Sequence, residues 1–163
     1  MFAYCNNGLS FRAWNNPALL EPGEVYFDHE PTSADLTAAF PGCAAAQAAQ
    51  AAQAAYNAAI GAGCQIASTG TPALNAVYPL DDSVLIKMNG EQAYIAVKGI
   101  FTNGQISRAW LDVSGAPHIF SSTAAFTAFA EAIAQYIDAL QTALAVVLAG
   151  GTWAVPVQPV TIP

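Results

Sequence analysis

A chain of 163 residues is long enough for one ordinary domain with a real core, or for a domain plus a small appended module. Hydrophobic residues make up 55% of it and charged residues only 9%, against roughly 25% charged in an average globular chain, so part of the apolar surface is expected to be covered by other chains. The formal net charge is −7, and the four basic residues, Arg12, Lys87, Lys98 and Arg108, are scattered singly; nothing there neutralises a run of phosphates, which argues against nucleic acid as a partner.

The start, Met1 to Asn7, carries no basic segment, and the longest apolar run near the end, Ala143 to Gly151, is far short of the ~18 residues a membrane span needs. Synthesis in the cytoplasm without membrane insertion is therefore expected. Cys5, Cys43 and Cys64 are an odd number with no CxxC spacing, so the sequence predicts buried free thiols, with no disulfide framework and no zinc site.

Residues 1–42 look like a small β-rich module. Phe2 to Cys5 and Leu9 to Trp14 are apolar, aromatic runs joined by Asn6-Asn7-Gly8, whose residues tolerate the positive φ of a tight hairpin. After Pro17 and Pro22-Gly23, Glu24 to Phe27 reads as a third strand. Thr32 to Asp35 forms a capping box that starts a short helix through Leu36 and Phe40, stopped by Pro41-Gly42. So small a core is expected to dock on something.

Residues 43–62 form an Ala/Gln-rich connecting helix. AAQ repeats three times, and Tyr56 then takes the glutamine register. Alanine has no side-chain entropy to lose, so the helix is well specified, but a period of three makes Gln47, Gln50, Gln53 and Tyr56 drift around the axis. Either a spacer that other helices approach closely or a linker helix without a partner fits this pattern.

The third unit, residues 63–149, opens on CQIASTGTPALNAVYPLD, Cys64 to Asp81: an extended segment, the turn Thr69 to Pro72, a second extended segment from Leu74 to Tyr78, and the acidic pair Asp81-Asp82. That pair is expected to cap the next element, not to act as an acid/base or metal dyad, because no third ligand or histidine lies near it in sequence. Asp82 to Val97 carries two readings. Met88 to Glu91 contains the Asn-Gly of a hairpin, while Val84, Met88, Glu91 and Ile95 fall at helical spacing behind an Asp82 cap, at a cost of roughly 1 kcal/mol for Gly90.

Gln105 to Val113 alternates, Ser114-Gly115 turns, and Ala116 to Phe120 returns, which predicts a two-stranded hairpin. His118 stands in it and His29 in the N-terminal module; neither has a nucleophile motif attached, so both are read as structural and no catalytic residue is expected. Ser121 or Ser122 then caps a helix whose stripe runs Phe126, Phe129, Ile133, Tyr136, Leu140, Leu144, Val147. The first half is expected to cover the hairpins. The second half, Leu140, Leu144 and Val147, is expected to form a seam between copies of the chain. Residues 150–163 read as an extended, Pro-rich tail. Its apolar residues Trp153, Val155, Val157, Val160 and Ile162 are expected to dock on a neighbouring subunit or another partner protein with Trp153 as anchor, so that deleting the tail leaves the domain folded; the alternative is that the tail folds back along its own domain.

Taken together, the Ala-rich helix, CQIASTGTPALNAVYPLD, a helix ending AYIAVKGIFTNGQ, RAWLDVSGAPHIF and FTAFAEAIAQYIDAL resemble an uncharacterised domain of tail-associated proteins from tailed bacteriophages and prophages, over roughly residues 50–145. STGTPALN, W-x-D-x-x-G and H-x-F are the motifs that carry it, and the FAYC-NNG-LSF start is similar to tail-fibre and tail-fibre-assembly proteins. The resemblance favours the helix at Asp82 to Val97 and brings no catalytic residues or cofactors. It implies an α+β structural component of a phage or phage-like tail, in the distal tail, baseplate or fibre attachment, that contacts copies of itself and other tail or fibre proteins. A non-virion fibre-assembly chaperone is the alternative, and a cell-envelope hydrolase a remote one.

Overall fold

Asn6, Asn7 and Gly8 all adopt positive φ, 51°, 53° and 78°, and reverse the chain between β1 (Phe2–Cys5) and β2 (Ser10–Ala13). The computed structural model describes residues 1–13 and 19–163; Trp14, at the end of the predicted second strand, and Pro17 lie outside them. β3 (Val25–Phe27) pairs with the other side of β1, giving an antiparallel order β2-β1-β3. The Arg12 guanidinium donates to both Glu24 carboxylate oxygens, at 2.7 and 2.5 Å. α1 (Ser33–Ala39) begins with the expected capping box: Asp35 N–H donates to Thr32 Oγ1 at 3.3 Å, and Thr32 N–H to Asp35 Oδ2 at 2.8 Å. Tyr4, Leu36, Phe40 and Cys43 form a small core of their own.

Cys43 also begins α2 (Cys43–Ala62), so the helix is rooted in the module by its first residue. Farther along, Ala52 is buried, Tyr56, Ala59 and Ile60 pack on the main core, and α2 lies along the last helix. The alanines give the connecting helix a partner inside its own chain. Gly63 ends it at φ 84°, where an added Cβ would stand 2.5 Å from Tyr78 O. Only glycine satisfies both conditions at this junction.

β4 (Cys64–Ser68) and β5 (Ala76–Tyr78) pair antiparallel, with a 3₁₀ turn at Pro72–Leu74 between them. The STGTPALN stretch is held by its own side chains. Ser68 N–H donates to Asn75 Oδ1 at 2.6 Å, and Thr71 N–H to Ser68 Oγ at 3.0 Å. Residues 82–98 are helical: α3 (Asp82–Lys98) buries Met88 and Glu91 and half-buries Val84 and Ile95, the spacing read from the sequence. Its cap is Asp81, one residue earlier than expected, which accepts from Val84 N–H at 3.1 Å and Ser83 Oγ at 2.6 Å. Asn89-Gly90 makes no hairpin because the flanking apolar residues find their core at a period of 3.6.

β6 (Arg108–Leu111) and β7 (Pro117–Phe120) form the predicted hairpin, with Trp110 opposite His118. α4 (Thr123–Leu148) starts at Ser122, whose Oγ accepts from Ala125 N–H at 3.2 Å. By length and composition this helix is apolar enough to cross a membrane, although Thr, Glu, Gln and Asp residues interrupt its apolar run. Here Phe126, Phe129, Ile133, Tyr136 and Leu140 are the protein core, while Glu131 and Asp138 lie on its exposed side. After α4 the chain returns as β8 (Val160–Ile162), parallel to β4, so that the central sheet runs β5-β4-β8. The fold is α+β: among the described residues there are three small sheets, with the helices α2, α3 and α4 packed around the core shared by the latter two.

Candidate functional site

The polar clusters are built into the fold. Asp112 lies at the β6–β7 turn, where its Oδ1 accepts from Ser114 Oγ (2.6 Å), Ser114 N–H (2.8 Å) and Ala116 N–H (2.9 Å). These bonds, the Ser114 hydroxyl first and then His118, hold its carboxyl far below the usual range. His118 Nε2 is 3.1 Å from Asp112 Oδ2, and its Nδ1 is 2.7 Å from Ala73 O. A serine, a histidine and an aspartate therefore meet, but in an order that does not activate a nucleophile: Ser114 faces the carboxylate, and the imidazole atom that a nucleophile would use faces a backbone carbonyl. The cluster ties the hairpin to the 3₁₀ turn.

Ala73 O and then Asp112 raise the His118 pKa, so the folded state binds this proton more tightly than the unfolded chain does. That contribution is present below the ordinary imidazole range, about 6.5, and is lost as pH rises through the folded value. The His118→Gln variant is expected to be less stable than the parent at about pH 5, with the gap in urea midpoint narrowing toward about pH 8. A gap independent of pH would show that the imidazole charge contributes nothing. His29, beside Asp28 at 2.6 Å, is raised in the same sense and titrates in both proteins.

A second cluster was not legible in sequence. Glu91, 3% exposed, accepts from Thr102 N–H at 2.6 Å and Thr102 Oγ1 at 2.9 Å, and pairs with Arg108 at 2.7 Å. It locks α3 to β6 from the inside. Its helical spacing with Met88 was visible; its partner, 17 residues on, was not. Burial lifts the Cys64 thiol to about 12; Cys43 is also buried, while Cys5, expected to be buried, is only partly so. Among the described residues no group of three or more His, Cys, Asp or Glu could hold a metal ion.

The expected interface residues divide into two sets. Leu140 is fully buried and Val147 nearly so within the chain itself, while Leu144 is half-buried, and α2 packs along this helix. The tail runs along its own domain. Ile162 is 2% exposed, Val160 and Trp153 are half-buried against the same core, and Ile66 pairs with Val160. The edge of β4, unsatisfied without it, is the physical reason for this course. Val155 and Val157 behave otherwise, at 72% and 86% exposed. Together with Val146, Ala139 and Ala143 they line a shallow hollow of about 370 Å³.

No family model, curated protein or solved structure matches the chain.

Proposed function

We propose that the chain is a structural protein that works by binding other protein chains, copies of itself among them, and that its place is a phage or phage-like tail. The exposed valines carry the first part. Residues 152–159 are held at both ends, by Gly151 N–H on Val146 O at 2.8 Å and by Gln65 N–H on Gln158 Oε1 at 3.0 Å, and between these points Val155 and Val157 face solvent. An ordered, extended segment that presents apolar side chains offers a contact surface at little further entropy cost. The second part rests on the likeness of residues 50–145 to tail-associated domains.

Joint replacement Val155→Asp and Val157→Asp is expected to leave unfolding stability within about 0.5 kcal/mol and to reduce self-association in sedimentation velocity. An unchanged distribution of species would remove this surface from the proposal. Mass spectrometry of purified particles tests the location. Presence of the chain supports a tail component; a chain needed for fibre maturation yet absent from particles would make it an assembly chaperone.

A further inference from the structure

Among the described residues β6 has a strand partner on one side only, since the hairpin sheet consists of β6 and β7. Asp112 N–H donates to Ala116 O at 3.0 Å in continuation of the β6–β7 register. In an antiparallel ladder the direction of backbone groups alternates, so Arg108 and Trp110 bond to β7 while Ala109 and Leu111 turn their N–H and C=O outward. Val113, next in that series, shows the same direction: its N–H donates to Val77 O of β5 at 2.9 Å. Beyond this bond a groove of about 450 Å³ separates the edge, Arg108 to Val113, from a wall of Pro79, Val84 and Lys87. An open strand edge in a walled groove is the receptor geometry for strand addition, and a free edge of this kind is otherwise a liability that proteins cover.

Charge selects the strand that fits. Three charged side chains line the groove, Lys87, Arg108 and Asp112. Arg108 is paired with Glu91 at 2.7 Å and Asp112 with His118 at 3.1 Å. Lys87 is exposed, one helical turn from Val84, and has no ion pair among the described residues. The Asp112 carboxylate is taken up by Ser114, Ala116 and His118, so Lys87 is the charged side chain of the groove that has no partner among the described residues.

We infer that this groove receives an extended segment of another protein, which adds to β6 through the outward backbone groups of Ala109 and Leu111 and sets an acidic side chain against Lys87. The site is separate from the Val155–Val157 surface and does not depend on the chain belonging to a tail. Partner pockets on alternate residues follow from the walls: the side chains of an added strand that point inward meet Val84 and Pro79.

The test uses the full chain, isotope-labelled, and a peptide of about ten residues that alternates threonine and valine and carries glutamates at one end, with a twin that carries lysines there. The glutamate peptide is expected to shift the amide resonances of Ala109 and Leu111 and slow their exchange. The lysine twin, and the glutamate peptide on Lys87→Glu, are expected to bind about tenfold more weakly. Leu111→Pro removes one outward N–H without touching the ladder to β7 and is expected to weaken binding to a similar degree, about tenfold. Lys87 is on an exposed helix surface, so its variant tests the inference even if Leu111→Pro does not fold. Failure of the glutamate peptide to bind, equal binding of the twins, or perturbation confined to other residues would overturn it. So would a chain that already dimerises through β6 without peptide and becomes monomeric in Leu111→Pro.

Discussion

Phe129→Ala is expected to cost about 3 to 5 kcal/mol, a large share of the roughly 5 to 15 kcal/mol that separates a domain from its unfolded state. Phe129 has no exposed surface, and its ring centroid lies 4.6 Å from Tyr78, 4.8 Å from Phe120 and 5.8 Å from Phe126. It is the point where β5, β7 and α4 meet. Truncation there leaves a void between three elements, none of which can collapse without moving the others. The melting temperature should fall on the order of 10 °C. Leu148→Ala, at a position 65% exposed on the same helix, is the control and should stay within about 0.5 kcal/mol. Equal losses in the two variants, measured by chemical denaturation, would mean that burial along α4 does not hold the core.

The elements legible in sequence are those whose signal is local. Thr32 and Asp35 announce a helix start three residues apart, Asn6-Asn7-Gly8 announces a reversal, and the Phe126-to-Val147 stripe announces one buried face. The Asp82 to Val97 ambiguity resolves in favour of the signal that covers more residues: four apolar or buried positions at helical spacing outweigh one Asn-Gly pair. What sequence could not supply is the identity of partners far apart in the chain. Glu91 occupies a core position on α3, and only its Arg108 and Thr102 partners, brought in by β6 and the loop before it, explain how a carboxylate sits there. The Asp112 and His118 contact spans a turn whose Asp-x-Ser-Gly residues were visible, but the second histidine partner, Ala73 O, comes from another hairpin.

The C-terminal tail shows the same limit most clearly. Its alternation of valine, isoleucine and proline establishes that it is extended and must be covered, yet a parallel strand pairing with residues more than ninety positions earlier, as of Val160 with Ile66, has no local mark. The turn of residues 69–75, which brings β5 back beside β4, accounts for one edge of that strand; nothing in the sequence pattern reveals that β8 takes the other. Hence the apolar content alone calls for a covering surface without naming it, and the first unpaired edge available to the tail belongs to its own domain.

Deletion of residues 152–163 is therefore expected to destabilise the whole domain, the reverse of what an appended tail would do. β8 closes the central sheet: Ile162 is 2% exposed, Thr69 N–H donates to Ile162 O at 2.9 Å, and Ser68 Oγ donates to Pro163 O at 2.9 Å. Gln158 bridges Gln65 N–H and the Tyr136 hydroxyl, tying the strap to both β4 and α4. Without these residues β4 loses its pairing from Ile66 to Ser68, and Ser68, 5% exposed, loses its acceptor. The loss should at least equal the truncation of one buried isoleucine, about 2 to 5 kcal/mol, and the point variant Ile162→Ala should account for much of it. Because the tail is one continuous segment, a synthetic peptide of residues 152–163 added in excess should restore stability with the logarithm of its concentration, as any ligand specific for the native state does. A shortened chain that unfolds at the same denaturant concentration as the full one, with no response to the peptide, would show that β8 is not part of the folding unit and would return the tail to the role of a free arm.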